Sequence, residues 1–193
     1  MTGMGPLELL VRTAAMLDQL GIPYALGGSF AATFYGEPRS TMDIDVAIVV
    51  RGDEGEELLR RVSRDYVVPM ETARHAVLTH GSFNLLSKEG GMKIDLFVLG
   101  DGLLDRRQIE RRIRVAVPGA ADGIWVTAPE DQVLRKLRWY ADGGSVSDRQ
   151  WRDVLGILRG QRGAIDVVDL RSAAAELGLS DLLERALVDE REP

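Results

Sequence analysis

The stretch GGSFAATFYGEPRSTMDIDVAIV, residues 27–49, decides how the rest of the chain is read. A glycine pair and a serine lead into a short helical segment, and a run rich in Ile, Val and Ala then carries two carboxylates, Asp43 and Asp45, one residue apart. Residues i and i+2 of a strand point to the same side, so Asp43 and Asp45 project together while Ile44, Val46 and Ile48 face the other way. Two anions side by side are tolerable when they stay wet or share a cation. Hard divalent ions such as Mg²⁺, with Mn²⁺ as a substitute, take oxygen ligands of this kind.

A third carboxylate repeats the pattern in MKIDLFV: Ile94, Leu96 and Val98 form an apolar stripe, and Asp95 lies on the opposite side with Lys93 and Phe97. A single Asp-x-Asp is a weak signal, because a strand aspartate commonly sits in solvent at a sheet edge. Three acids in one hydrophobic phase, preceded by GGS, suit nucleotidyl transfer, where two ions about 3.5–4 Å apart clamp the attacking and leaving oxygens. Backbone amides at a glycine turn and a helix start attract anions, which makes Gly28 and Ser29 candidates for holding the β- and γ-phosphates of a nucleoside triphosphate.

Outward from this stretch, the pattern predicts an amphipathic helix over 6–20 and short strands at 23–26 and 42–50. A helix is expected over 53–65, then two apolar strands at 82–98 joined through Lys88 to Gly91, and further strands in RIRVAV and GIWVTA. After Pro129 the texture becomes helical, in PEDQVLRKLRWYAD, SVSDRQWRDVLGILRG, DVVDLRSAAAELG and SDLLERALVDE. The expected fold class is α/β (α+β), a mixed, twisted sheet flanked by helices. Residues 1–127 form the catalytic domain and 128–193 a C-terminal helical region packed on it.

The 193 residues, 45% of them hydrophobic and 28% charged, are ordinary for a soluble globular protein. The absence of cysteine argues against a disulfide scaffold, and no apolar run is long enough to span a membrane, so a cytoplasmic protein without membrane contact is expected. The net charge of −6 excludes nucleic-acid binding through global charge. Locally, DRRQIERRIRVAV concentrates five arginines between Arg106 and Arg114, readable as a solvated surface or as a phosphate-contacting edge. Neither His75 nor His80 has a ligand partner at metal spacing, so a zinc site is not expected. Trp139 or Tyr140 could stack on a base.

GGS, then DID after thirteen intervening residues, then KIDLF resemble the nucleotidyltransferase fold of the DNA polymerase β superfamily. That resemblance implies that Asp43 and Asp45 bind the metals and the triphosphate, while Asp95 completes the second metal site and helps activate the acceptor hydroxyl. RSTMDID together with PEDQVLRKLRWY and RQWRDVLGIL is similar to the AbiEii-type toxin nucleotidyltransferases, which brings Lys136 and Asp153 into the site. Arg39 is a further phosphate clamp by its planar, permanently charged fork, or else a turn residue after Pro38.

The expectation is a Mg²⁺-dependent enzyme that moves a nucleoside monophosphate onto a hydroxyl. As in toxin–antitoxin systems, the acceptor would be tRNA, another RNA or a protein, and a cognate antitoxin would be a partner. An RNA would need a basic shelf, which the Arg106–Arg114 cluster with Arg135, Lys136 and Arg138 could supply. A small-molecule acceptor of the antibiotic type, or a non-catalytic nucleotide-binding module, are the alternatives.

Overall fold

The computed structural model describes residues 5–36, 43–89 and 91–191. Helix α1 (Pro6–Gln19) starts on a proline at its first turn and buries Leu9, Leu10, Met16 and Leu17. Strand β1 (Tyr24–Leu26) leads directly into α2 (Gly28–Ala32), and the acidic stretch becomes β2 (Ile44–Ile48). Helix α3 (Glu54–Asp65), the two-residue β3 (Tyr66–Val67) and α4 (Met70–Thr79) connect it to the hairpin of β4 (Ser82–Ser87) and β5 (Lys93–Val98). After α5 (Leu103–Glu110), a second hairpin pairs β6 (Ile113–Val117) with β7 (Ala120–Val126). Helices α6 (Pro129–Asp142), α7 (Asp148–Gly160), α8 (Val167–Glu176) and α9 (Ser180–Asp189) follow.

The strands form one seven-stranded mixed sheet in the order β3-β4-β5-β2-β1-β7-β6. The β2–β5 and β1–β7 pairs are parallel and the other pairs antiparallel. The expected mixed α/β architecture is therefore present. Alternation places the centre of the sheet as the sequence requires: Ile44, Val46 and Ile48 of β2 and Ile94, Leu96 and Val98 of β5 are buried in the core. Asp45 and Asp95 occupy the other face in direct lateral register. On that face β4 continues the grid outward, with Asn84 opposite Asp95 and Ser82 opposite Phe97.

Two elements were not foreseen. Strand β3 has only two residues, and α4 buries only Ala73 and Ala76, too narrow an apolar stripe to announce a helix.

The arginine cluster takes a role that neither sequence reading covered. Arg107 reaches from α5 to Asp131 on α6 (2.6 Å) and, in a two-pronged pair, to Asp169 on α8 (2.6 and 3.1 Å). Arg111 adds contacts to Asp131 at 3.1 Å and Asp169 at 3.0 Å. Arg112 and Arg114 stack over the Trp125 ring, and Arg114 also meets Asp18. Arg135 is paired with Asp105, and Arg138 with Asp142 and the Leu177 carbonyl. Of the cations expected to form a shelf for RNA, Arg107, Arg111 and Arg135 are engaged in ion pairs that tie α5, α6 and α8 together. The Asp131 carboxyl is pushed up by burial and drawn back by Arg107 and Arg111, whereas Asp169, more exposed, is held below the usual carboxylate range by its hydrogen bonds to Arg107.

Asp131 is fully excluded from solvent, so removing its main partner leaves a buried charge with only the partly exposed Arg111 to compensate it. Arg107→Ala is expected to cost about 3–5 kcal/mol in urea unfolding, and the half-exposed Arg111→Ala markedly less.

Candidate active site

The site is assembled where β1 hands the chain to α2. The amide of Gly27 donates to the Asp45 carbonyl at 2.8 Å, locking the end of β1 beside β2. Gly28 then adopts φ +62°, a left-handed conformation that costs glycine little. A Cβ at Gly28 would lie 1.8 Å from Asp45 Oδ2, so the Asp45 carboxylate rests directly on the glycine backbone. Glycine is required here twice, for its dihedral angle and for its missing side chain.

Asp45 and Asp95 are lateral neighbours on adjacent parallel strands, and strand spacing sets their Cα atoms about 4.8 Å apart. Asp43 immediately precedes the first residue of β2. The Asp45 carboxyl is pushed up from its ordinary value, first by burial and then by the charges of Asp95 and Asp43; Lys136 and Lys93 pull it the other way. Lys93 Nζ holds Asp95 Oδ2 at 2.9 Å, and that bond raises the ammonium's own pKa. The second oxygen, Asp95 Oδ1, is buried and has no hydrogen-bond partner.

An unpartnered buried carboxylate oxygen next to two further carboxylates is a donor set short of a cation, and hard oxygen donors match Mg²⁺ or Mn²⁺. As the side chains stand, no three acidic or histidine residues among those described are grouped closely enough to ligate one ion. The sequence-predicted carboxylates therefore converge on one face without closing into a cage.

Behind the carboxylates lies a second polar layer. Ser29 Oγ donates to Asp153 Oδ2 at 3.4 Å and accepts from Arg149 Nη2 at 3.1 Å. Lys136, whose side chain is 0% exposed, donates to the same Asp153 oxygen at 2.7 Å and to Gln150 at 3.4 Å. Gln132 of α6 donates to the Gly28 carbonyl. Close helix contact fixes this layer: a Cβ at Gly160 of α7 would fall 1.9 Å from the Tyr35 carbonyl oxygen just beyond α2.

The structure brings Ser29, Lys136 and Asp153 together, with Lys136 beneath the cleft, in a buried pair, and not at its surface. Arg149, with Gln150, lines the cleft instead; in SDRQWRD an exposed arginine near a helix start carries no distinguishing mark. Arg39 lies outside the described residues. Trp139 lines the site, whereas Tyr140 is buried against Trp151, with ring centres 5.0 Å apart.

Two cavities meet here. The first, of about 460 Å³, is lined by Ser29, Asp43, Asp45, Lys93, Asp95 and Arg149 among others. The second, of about 360 Å³, is lined by His80, Ser82, Phe97, Asp105, Gln108 and Arg135 among others. Gly28, Asp45 and Trp139 line both and form the partition between them.

The fold is that of nucleotidyltransferases. The chain is similar to an antigenic nucleotidyltransferase-like protein from Paracoccidioides brasiliensis, at 20% identity over 93% of this chain and 90% of that one, with a TM-score of 0.58. It is also similar to the antibiotic-resistance factor ANT(2'')-Ia, at 16% identity over 93% and 96% of the two chains, TM-score 0.52. A putative nucleotidyltransferase from Thermotoga maritima matches at 15% identity over 76% and 92%, TM-score 0.51. No protein-family model matches the chain, and no curated protein matches it in sequence.

Two predictions follow from the packing around Asp45. Gly21 and Gly28 both have positive φ, but a Cβ at Gly21 meets nothing within 4 Å. Gly21→Ala should cost about 1–2 kcal/mol of backbone strain in urea unfolding, and Gly28→Ala clearly more, because it also displaces the Asp45 carboxylate.

The raised pKa of Asp45 means that folding disfavours its charged form. That penalty is absent below the ordinary carboxylate pKa, grows as pH rises toward the raised folded value, and is complete at neutral pH. Asp45→Asn should therefore raise the Tm of the metal-free protein at pH 7 by a few degrees, about 2–4 °C for each kcal/mol relieved, and not at pH 3.

Proposed function

We propose that the chain is a metal-dependent nucleotidyltransferase that moves a nucleoside monophosphate from a triphosphate onto a hydroxyl. The observation that carries this reading is the lateral register of Asp45 with Asp95, with Asp43 beside them and one Asp95 oxygen buried without a partner. Asp43, Asp45 and Asp95 would hold the divalent ions, Mg²⁺ or Mn²⁺, which when bound supply neutralisation of the charge on the transferring phosphoryl oxygens.

The other residues bind and orient. Arg149 and Lys93 provide cations for the β- and γ-phosphates, with Gly28 and Ser29 at the turn beneath them. The pair Lys136–Asp153 fixes Ser29 from behind and positions the phosphate side without touching it. In the transfer, the acceptor oxygen bonds to the α-phosphorus, the bond to the bridging oxygen breaks, and its electron pair leaves with pyrophosphate. The Asp95 carboxylate would take the hydroxyl proton.

Among acceptors, the structure's charge distribution favours a small molecule. The arginines that an RNA backbone would need are engaged with Asp131, Asp169 and Asp105, and the second cavity is of the size that encloses small ligands. A toxin-type enzyme of the AbiEii kind, modifying tRNA or a protein and restrained by an antitoxin, is the second reading; it rests on the helical motifs around Lys136 and Asp153, which do share one buried layer with Ser29.

Incubation with Mg²⁺ and each α-³²P-labelled triphosphate, offering total RNA, the protein itself or a panel of hydroxyl compounds, tests both. Label is expected on small hydroxyl compounds. Asp45→Asn and Asp95→Asn should each lower transfer by about 10²–10³-fold or more while the protein stays folded by circular dichroism. Triphosphate binding without release of pyrophosphate under any combination would make the chain a non-catalytic binding module.

A further inference from the structure

On the reading that Asp43, Asp45 and Asp95 hold divalent ions, we infer that Lys93 competes with those ions for Asp95 and passes to the triphosphate when both bind. Metal and triphosphate then load cooperatively. Four charged positions form a grid on the sheet. Ile44 pairs with Ile94 and Asp45 with Asp95 in the parallel register of β2 and β5, so Asp43 and Lys93, each one residue before that isoleucine pair, adjoin in turn. Two-residue alternation puts all four side chains on the face opposite the core. Three corners are carboxylates and the fourth is an ammonium.

Lys93 is the cation placed to serve this grid. Its Nζ donates to Asp95 Oδ2 at 2.9 Å. That bond raises the ammonium's pKa first, and the charges of Asp95, Asp43 and Asp45 add to it, so Lys93 feels all three acids while bonded to one. Lys136, the other cation that acts on Asp45, has no freedom to move: its side chain is fully buried and bonded to Asp153. The Lys93 side chain is 45% exposed on a flexible stem and can leave Asp95 without burying or stranding its own charge. It leaves behind a carboxylate whose Oδ1 is already buried without a partner, and a hard, doubly charged ion suits that group better than one ammonium.

The phosphate side lies within the same cavity. Lys93 lines it with Ser29, Arg149 and Gln150. An ion on Asp95 releases Lys93 to a phosphate oxygen, and a phosphate oxygen that takes Lys93 releases Asp95 to an ion. These are two sides of one coupling free energy, so each ligand raises the other's affinity by the same factor.

Mn²⁺ binding to the nucleotide-free protein, read by electron paramagnetic resonance, tests the competition. Lys93→Met and Lys93→Gln should each tighten Mn²⁺ roughly three- to tenfold, the worth of a partly exposed charge pair together with the repulsion between ammonium and ion. Lys88→Met makes the same charge change away from the grid, where Lys88 Nζ donates to the Ser63 and Arg64 carbonyls, and should leave Mn²⁺ affinity within about twofold. Calorimetric binding of α,β-methylene-ATP in EDTA tests the handover. Asp95→Asn, which releases Lys93, should tighten the analogue roughly fivefold in the wild-type background and less than about twofold beside Lys93→Met.

Unchanged Mn²⁺ affinity in both Lys93 variants, or an equal gain in Lys88→Met, overturns the competition while leaving the metal site standing. No gain from Asp95→Asn, or an equal gain with and without Lys93, overturns the handover. No saturable Mn²⁺ binding by the wild-type protein or either Lys93 variant, with or without the analogue, instead removes the metal-dependent reading itself and this inference with it.

Discussion

Everything at the site depends on two carboxylates forced side by side by a parallel strand register. Asp45 and Asp95 cannot avoid each other, because the apolar residues that alternate with them, Ile44, Val46, Ile94 and Leu96, are locked into one core. A slip of one residue in either strand would separate the acids and drive a carboxylate into the hydrophobic interior, so the core's burial energy enforces the electrostatic strain. The strain is visible in the raised pKa of Asp45 and in the Asp95 oxygen left without a partner. Such stress is useful where a cation or a developing proton transfer will relieve it.

Around this pair the chain uses two different ways of handling cations. Lys136 is fully buried and its charge is matched by Asp153, so it contributes geometry: it fixes Asp153, which in turn accepts from Ser29. A buried pair of this kind is weak evidence for stability, but removing either partner would leave the other stranded. Lys93 and Arg149, in contrast, are exposed to solvent and face the first cavity. They can reach a ligand without first breaking a buried pair, whereas Lys136 cannot.

Most of the fold and the acidic half of the site were legible from sequence because both follow from local period. The two-residue alternation in DIDVAI and KIDLFV gives the strands, their buried faces and the common side of Asp45 and Asp95 at once. What was not legible is contact between distant segments of similar appearance. Arg107 and Arg111 look like any basic surface run until α6 and α8 bring Asp131 and Asp169 against them. Arg149 is one exposed arginine among several, and only the crossing of α7 over the end of α2 turns it toward Ser29.

The arginine clasp also sets the charge around the second cavity. A net charge of −6 leaves 24 basic residues against 30 acidic ones, so a basic surface requires that some cations stay unpaired and clustered. Here the densest cluster is folded onto Asp131 and Asp169, and Arg135 onto Asp105, so the cations nearest the second cavity are neutralised where they stand. The same pairs hold α5 and α6 in place, and these two helices carry Asp105, Gln108, Arg135 and Trp139 to the wall of that cavity. The same side chains therefore serve two ends: freeing those arginines for a polyanion would loosen the helices that shape the cavity.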